Sequence, residues 1–174
     1  MRGTHQGGMT STISKRLRDG LDRVAIGAGF EKYSPWMWTK VVDEGLALVL
    51  YLQKSNFGET FYIEVGALFD GIPEQLKIWD CQMRNRIDCC VRDLGLLTLL
   101  DFRRTTSSAD VDAQVRALAS ALEGSLVAEL GSIRGRAGLL EFVERYRNRL
   151  IDGRRTGFIA SKEFLHRLRT QKGG

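Results

Sequence analysis

The sequence contains very little histidine. Only His5 and His166 occur among its 174 residues. A serine or cysteine nucleophile usually requires a positioned base, most often histidine, and His5 lies in an N-terminal stretch without hydrophobic periodicity. The scarcity of histidine therefore argues against nucleophilic catalysis, and we expect a non-enzymatic protein rather than an enzyme.

Cysteine is also scarce, with only Cys81, Cys89 and Cys90. They lack the C-x-x-C spacing and the neighbouring histidines that are typical of zinc sites, so we predict neither a metal nor another cofactor. A small, odd number of cysteines without a secretory signal indicates free thiols in a reducing cytoplasm. Alternation places Cys81 on the apolar side of a predicted strand, which favours a buried thiol over a nucleophile.

Long apolar runs are absent. The longest one, from Leu46 to Leu52, has seven residues, whereas a membrane-spanning helix needs about 20. Nothing resembling a signal peptide opens the chain. We therefore expect a cytoplasmic protein that is not associated with a membrane.

The hydrophobic spacing divides the chain into a short leader and one domain. Residues 1–10 show no periodicity and are predicted to be a disordered or tag-like leader. Residues 11–174 form a single predicted domain, whose first helix begins at Ser11. Apolar residues recur along one face of this helix at helical spacing: Ile13, Leu17, Leu21, Val24 and Ala28.

Between about residues 30 and 88 the hydrophobic period changes to two, which indicates β-strands. The predicted strands are 30–33, 36–42, 46–53, 59–69 and 79–88. The strand at 46–53 is apolar on both faces, which places it in the centre of the sheet. Short connections between the strands indicate antiparallel pairing. The last strand places four apolar residues on one side: Trp79, Cys81, Met83 and Ile87.

A helical tail follows, from about residue 108 to residue 170. One helix capped by Ser107 or Ser108 ends at Gly131, a second spans about 136–150, and a third is capped at Ser161. Grouped strands followed by grouped helices define the α+β class. We predict an antiparallel sheet of four to five strands, with an N-terminal helix and two to three C-terminal helices packed mainly on one face.

Positive charge is concentrated at the C-terminal end. Residues 132–174 contain 11 Lys or Arg and 4 Asp or Glu, a net charge of +7, and the remaining 15 basic and 17 acidic residues give −2. Such asymmetry suits an acidic protein, nucleic acid or another anionic surface. Candidate contacts for an anion or a nucleic acid are Arg134 and Arg136, in a glycine-rich loop, and Arg154 and Arg155. The alternative is a set of solvated arginines with no ligand.

A second group of candidate binding residues lies on and next to the predicted strands. Its members are polar or amphipathic: Trp38, Lys40, Gln53, Lys54, Glu64, Gln82, Arg84 and Arg86. On one shared face they would form a basic and aromatic surface for an anionic or peptide ligand. The alternative is a water-exposed sheet face on which Glu64 forms a cross-strand ion pair with Arg84 or Arg86.

Several short motifs follow one another in a characteristic order. They are Gly29-Phe30, Trp36 to Lys40, Gln53-Lys54-Ser55, Phe61-Tyr62-Ile63 with Gly66, and Cys81 to Arg86. Over about residues 12–105, and more loosely in the helical tail, the chain thereby resembles the bacterial domain of unknown function 4304 family. The usual histidine after the cysteine of that family is Gln82 here. The resemblance implies a cytoplasmic bacterial α+β protein and brings no established activity.

These observations favour a non-enzymatic protein-binding module, of the immunity or accessory type. Its excess of positive charge predicts an acidic protein partner, because complementary charges steer association. Two alternatives stay open. One is nucleic-acid association through the Arg-rich C-terminal helices, which would weaken with salt. The other is an enzyme that acts on a small anionic substrate with Glu64, Arg84 and Arg86.

Overall fold

The computed structural model describes residues 6–87, 95–146, 150–151, 154–155 and 159–170. The helices in this part are α1 (Gln6–Gly27), α2 (Gly95–Leu99), α3 (Ser108–Glu129), α4 (Gly135–Tyr146) and α5 (Lys162–Thr170). The strands are β1 (Glu31–Ser34), β2 (Met37–Asp43), β3 (Leu46–Lys54), β4 (Phe61–Phe69), β5 (Met83–Arg86), β6 (Leu150–Ile151), β7 (Arg154–Arg155) and β8 (Ile159–Ala160). The predicted α+β class is confirmed.

Strands β1 to β5 form one antiparallel sheet in which each strand pairs with the next in the chain. The short strand β8 extends the sheet beyond β5, and β6 and β7 form a separate two-stranded ribbon. The longest pairing joins β3 and β4, from Leu46 opposite Phe69 to Lys54 opposite Phe61. Gly45 adopts a φ of 64° in the turn between β2 and β3, a conformation that glycine adopts without steric cost.

The main core lies between one face of the sheet and the helices. Alternate residues of the strands, including Leu48, Leu50 and Val65, pack in one cluster with apolar residues of all five helices. Residues 46–50 of β3 are all buried, which confirms its predicted central position. Apolar side chains at helical spacing on α1 are buried here because they share one side of that helix.

The other face of the sheet is partly covered by the connection between β4 and β5, residues 70–82, which we call the crossing segment. Its side chains Leu76, Ile78 and Cys81 pack on Met37 and Val49 of the sheet in a second apolar cluster. The Tyr33 hydroxyl fixes this segment to β1, because it accepts from the Leu76 N–H at 2.8 Å and lies 2.6 Å from the Glu74 carbonyl oxygen, to which it donates.

The predicted strand at 79–88 is wrong in its first half. Residues Ile78–Asp80 form a 3₁₀ turn, and the strand itself comprises Met83–Arg86. The Asp80 carboxylate accepts a hydrogen bond from the Lys77 N–H at 2.8 Å, which favours a tight turn over an extended chain. Trp79 is therefore 64% exposed, and Cys81 packs on the face of the sheet opposite to Met83.

Two helix boundaries also differ from the prediction. Helix α1 begins at Gln6, so residues 6–10, which the sequence assigns to a disordered leader, are helical, since extending an existing helix is easier than nucleating one. Helix α4 ends at Tyr146 rather than near residue 150, where Leu150 instead pairs with Arg155.

The described residues do not include 1–5, where His5 lies, or 88–94, where Cys89 and Cys90 lie. None of the described helices has both the length and the apolar character needed to cross a membrane.

Candidate functional site

The register of β3, β4 and β5 brings six polar side chains to the sheet face that the helices leave uncovered. Glu64 lies between Tyr51 and Arg86, its partners on the two neighbouring strands. Gln53 pairs with Tyr62, and Arg84 pairs with Gly66. Directly paired residues project to the same side of an antiparallel sheet. We call this group the polar face, and it comprises Tyr51, Gln53, Tyr62, Glu64, Arg84 and Arg86.

Arg86 is held on the polar face by an aromatic ring. Its Cζ atom lies 4.0 Å from the centroid of the Tyr62 ring, a geometry in which the cation is attracted by the ring. The arginine is exposed and the tyrosine half-buried. A guanidinium that lies over an aromatic ring can still bind a carboxylate through two hydrogen bonds from its N–H groups.

Arg84 is the second cation of the polar face. Its side chain is exposed and forms no hydrogen bond or ion pair within the described part of the chain. It lies near Cys81, a buried free thiol whose pKa is raised to about 12, chiefly by burial. Cys81 therefore stays protonated at neutral pH and adds no negative charge beside Arg84.

Glu64 is the only acidic member of the polar face. The predicted ion pair with Arg84 or Arg86 is wrong: no nitrogen of these residues lies within 4.0 Å of the Glu64 carboxylate in the described structure. Arg86 extends over Tyr62 instead. Burial and, secondly, the charge of Glu64 raise the pKa of Tyr51. Glu64 thus offers hydrogen-bond acceptors beside an uncharged phenol.

Trp38 and Lys40 were predicted as binding residues but face the helices. Trp38 pairs with Leu50 in the register, is fully buried, and donates from Nε1 to Asp22 Oδ1 at 2.6 Å. Lys54, at the end of β3, forms an ion pair with Glu59 at 3.2 Å. These side chains stabilise the scaffold, so the predicted cluster divides between the two sides of the sheet.

Lys40 connects β2 to the ends of two helices. Its Nζ donates to the carbonyl oxygens of Ala28 at 3.2 Å, Leu130 at 3.2 Å and Gly131 at 3.3 Å. These oxygens follow the C-termini of α1 and α3, where the helix dipole is negative. Burial and then the charge of Arg134 lower the pKa of Lys40, while the three acceptors favour its charged form.

The predicted anion-binding loop uses its arginines internally. Arg134 donates to the carbonyl oxygens of Gly131 and Ile133. Arg136 forms an ion pair with Asp43 at 3.0 Å and lies over the Phe69 ring. Neither guanidinium is presented as an empty anion site. Arg154 and Arg155 form β7, and their side chains lie outside the described part of the structure.

Other arginines of the basic tail are also paired. Arg145 pairs with Glu129 at 3.2 Å and Arg169 with Glu144 at 2.9 Å. Arg167 donates to both carboxylate oxygens of Asp70, at 2.8 and 2.6 Å. The +7 charge of residues 132–174 is therefore balanced in part by contacts with acidic residues.

Gln82, another predicted binding residue, accepts a hydrogen bond from the Phe69 N–H at 2.8 Å.

Two clefts of the described structure are lined by residues that do not belong to the polar face. One, of about 570 Å³, is lined by residues near Lys40 and Arg134. The other, of about 700 Å³, contains Asp101, whose pKa is lowered to about 2, chiefly by hydrogen bonds from Arg103. Among the described residues, no three His, Cys, Asp or Glu side chains are grouped so that they could hold a metal ion.

Tyr51 and Tyr62 were not among the predicted site residues. Alternation along β4 assigns Tyr62 to the same side as Glu64, so this part of the polar face was accessible from the sequence. The position of Tyr51 opposite Glu64 depends on the register between β3 and β4, which the sequence of either strand alone does not determine.

Comparison with models of known protein families identifies a match. A family model described as "Domain of unknown function (DUF4304)" matches residues 21–136, a range that includes the whole polar face. No curated protein and no solved structure matches the chain.

Proposed function

The chain belongs to the DUF4304 family of domains of unknown function, and from its polar face we propose that it is a non-enzymatic module that binds an acidic protein. The observation that carries this proposal is that two arginines without an acidic partner in the described structure lie together on β5, whereas arginines of the basic C-terminal part are paired. Arg84 and Arg86 are exposed and have no acidic partner within the described residues, whereas Arg136, Arg145 and Arg167 are paired.

An acidic partner fits the polar face for electrostatic reasons. Two exposed guanidinium groups on one strand attract carboxylates and can bind them bidentately. Arginine and tyrosine are also enriched where protein interfaces bind most strongly. The net charge of +5 adds a long-range attraction that speeds association with an acidic protein. In this proposal the module works in a bacterial cytoplasm, as an immunity or accessory protein would.

The observed contacts favour a protein partner over nucleic acid. Binding to a phosphate backbone depends on many cations that can exchange counterions for phosphates, and much of the arginine-rich tail is engaged in internal contacts. The ring of Tyr62, which could stack on a base, is covered on one side by Arg86. Glu64 adds a negative charge to the same face.

Affinity capture with two charge-matched variants tests the proposal. The first variant, Arg84→Ala/Arg86→Ala, removes both cations from the polar face. The second, Arg145→Ala/Arg169→Ala, removes two cations from α4 and α5 and changes the net charge equally. From an extract of the source organism, we expect the wild type and the second variant to retain the same stoichiometric acidic protein, and the first variant to lose it.

Either of two results would contradict the proposal. Equal loss of the captured protein in both variants, with circular dichroism showing that both are folded, would mean that only net charge matters. Retention by Arg84→Ala/Arg86→Ala would place the interface elsewhere. A captured partner that disappears after nuclease treatment would instead support association with nucleic acid.

A further inference from the structure

The strongest remaining feature is the carboxylate of Glu64, in the middle of a basic surface. It is half-buried, and its carboxylate forms no ion pair or hydrogen bond within the described part of the chain. No cation lies within ion-pair distance of this carboxylate in the described structure, because Arg86 lies over the Tyr62 ring, and the neighbouring side chains of Tyr51 and Cys81 carry no positive charge.

A partner that covers Arg84 and Arg86 must also cover Glu64. Glu64 and Arg86 are directly paired across β4 and β5, which places their Cβ atoms roughly 5 Å apart. Arg84 and Arg86 are alternate residues of β5 and lie roughly 7 Å apart along the strand. A purely acidic surface would therefore bring a carboxylate against Glu64 and remove its water without providing a donor, which is strongly unfavourable.

We propose that the partner's contact segment has mixed charge: carboxylates that bind Arg84 and Arg86, and a lysine or arginine that binds Glu64. This inference rests on the proposed function and specifies the chemistry of the partner. Glu64 thereby acts as a specificity residue, because it favours a cation among carboxylates and disfavours an uninterrupted polyanion. Nucleic acid belongs to the disfavoured class, since each of its backbone units carries a negative charge.

A pair of synthetic peptides tests this inference. One contains Glu-Lys-Glu within a Gly/Ser sequence, and the other contains Glu-Glu-Glu in the same place. Dissociation constants are measured at low ionic strength by NMR titration of the full chain. We expect the wild type to prefer Glu-Lys-Glu by at least about tenfold, which corresponds to about 1.4 kcal/mol.

Glu64→Gln supplies the decisive comparison, because it removes the charge and keeps the shape. We expect it to weaken binding of Glu-Lys-Glu and to strengthen binding of Glu-Glu-Glu, so that the preference is lost. The charge-matched control is Glu141→Gln, at an exposed position of α4, which should leave the preference unchanged. An opposite response of the two peptides to one substitution is not expected from a general loss of stability.

Failure of this inference can be distinguished from failure of the proposed function. If both peptides bind equally to the wild type, and both are lost in Arg84→Ala/Arg86→Ala, the polar face binds acidic partners but Glu64 does not select among them. If neither peptide depends on the two arginines, both proposals fail. Absence of binding by both peptides at millimolar concentration, or tighter binding of a single-stranded oligothymidylate at the polar face, overturns the inference.

Discussion

At the scale of single residues, Gly66 determines how closely the crossing segment lies on the sheet. Cys81 occupies the space that a side chain at position 66 would need: a Cβ built there would lie 2.5 Å from Cys81 Sγ and 2.9 Å from Cys81 Cβ. The glycine is therefore required for packing, not for a special backbone conformation. The cysteine packs in this space as a small apolar group.

We expect Gly66→Ala to lower the free energy of unfolding by about 1–3 kcal/mol, because the added methyl group overpacks the contact with Cys81. Gly124→Ala is the control: nothing lies within 4 Å of the added Cβ in α3, and replacing a helical glycine should stabilise the protein by about 0.5–1 kcal/mol. Urea unfolding measures both. Equal effects of the two substitutions would contradict this account of Gly66.

Asp101 is the residue for which the structure predicts a clear pH dependence. Its carboxylate accepts hydrogen bonds from Arg103 at 2.8 and 2.5 Å, and these contacts hold its pKa at about 2, below the ordinary value of 3.8. The unfolded chain therefore binds a proton at a higher pH than the folded chain does. The resulting stabilisation is present above pH 3.8 and is lost as the pH falls towards about 2.

Asp101→Asn cannot lose this contribution by protonation. We expect the unfolding midpoint of the wild type to fall more steeply than that of Asp101→Asn between about pH 5 and about pH 2. Thermal unfolding followed by circular dichroism measures the difference. Parallel profiles for the two proteins would show that the contact between Asp101 and Arg103 does not contribute to stability.

At the scale of secondary-structure elements, Lys40 joins parts of the molecule that are distant in sequence. One ammonium group on β2 binds the carbonyl oxygens that follow α1 and those that follow α3. These carbonyls have no partner within their own helices. The lysine therefore fixes the ends of two helices against the sheet, next to the loop that begins α4.

Lys40→Met keeps most of the aliphatic chain and removes the donors. We expect it to lower the free energy of unfolding by about 1–3 kcal/mol, because the Ala28 carbonyl loses its donor and the carbonyls of Leu130 and Gly131 each lose one of two donors. Lys15→Met, at an exposed position of α1, should change stability by less than about 0.5 kcal/mol. Amide hydrogen exchange should also become faster at the ends of α1 and α3. Unchanged exchange there would contradict the capping role.

The elements differ in how far the sequence predicts them. The central strand β3 and the apolar faces of α1 and α3 follow from periodicity, because burial imposes a regular spacing on the side chains. The first half of the predicted strand at 79–88 fails because its alternation of apolar and polar residues coincides with a turn closed by Asp80. The alternation of apolar and polar residues carries no information about the side-chain hydrogen bonds that close such a turn and keep a segment out of a sheet.

The candidate site was predicted in part for a related reason. Gln53, Glu64, Arg84 and Arg86 lie together on the polar face, whereas Trp38 and Lys40 lie on the other side. One residue of register changes the face to which a strand presents a side chain. Lys40 binds carbonyl oxygens of residues near 28 and 130. No sequence motif marks this contact, because it joins parts of the chain that are far apart in sequence.

At the scale of the whole molecule, the net charge alone does not show which basic residues are available for binding. The net charge of +5 and the basic C-terminal tail suggest a broad cationic surface. The pairing of Arg145, Arg167 and Arg169 with acidic residues places part of that charge in contacts that hold the tail against the rest of the domain. The cations of the polar face are then the better candidates for binding.

The central claim is that partners bind the polar face of β3, β4 and β5. The most direct test is an NMR titration of the isotopically labelled chain with the Glu-Lys-Glu peptide, followed through backbone amide shifts. The account predicts saturable changes centred on Gln53, Tyr62, Glu64, Arg84 and Arg86. Changes centred instead on the loop at residues 131–136 or on α5, with the polar face unaffected, would contradict it.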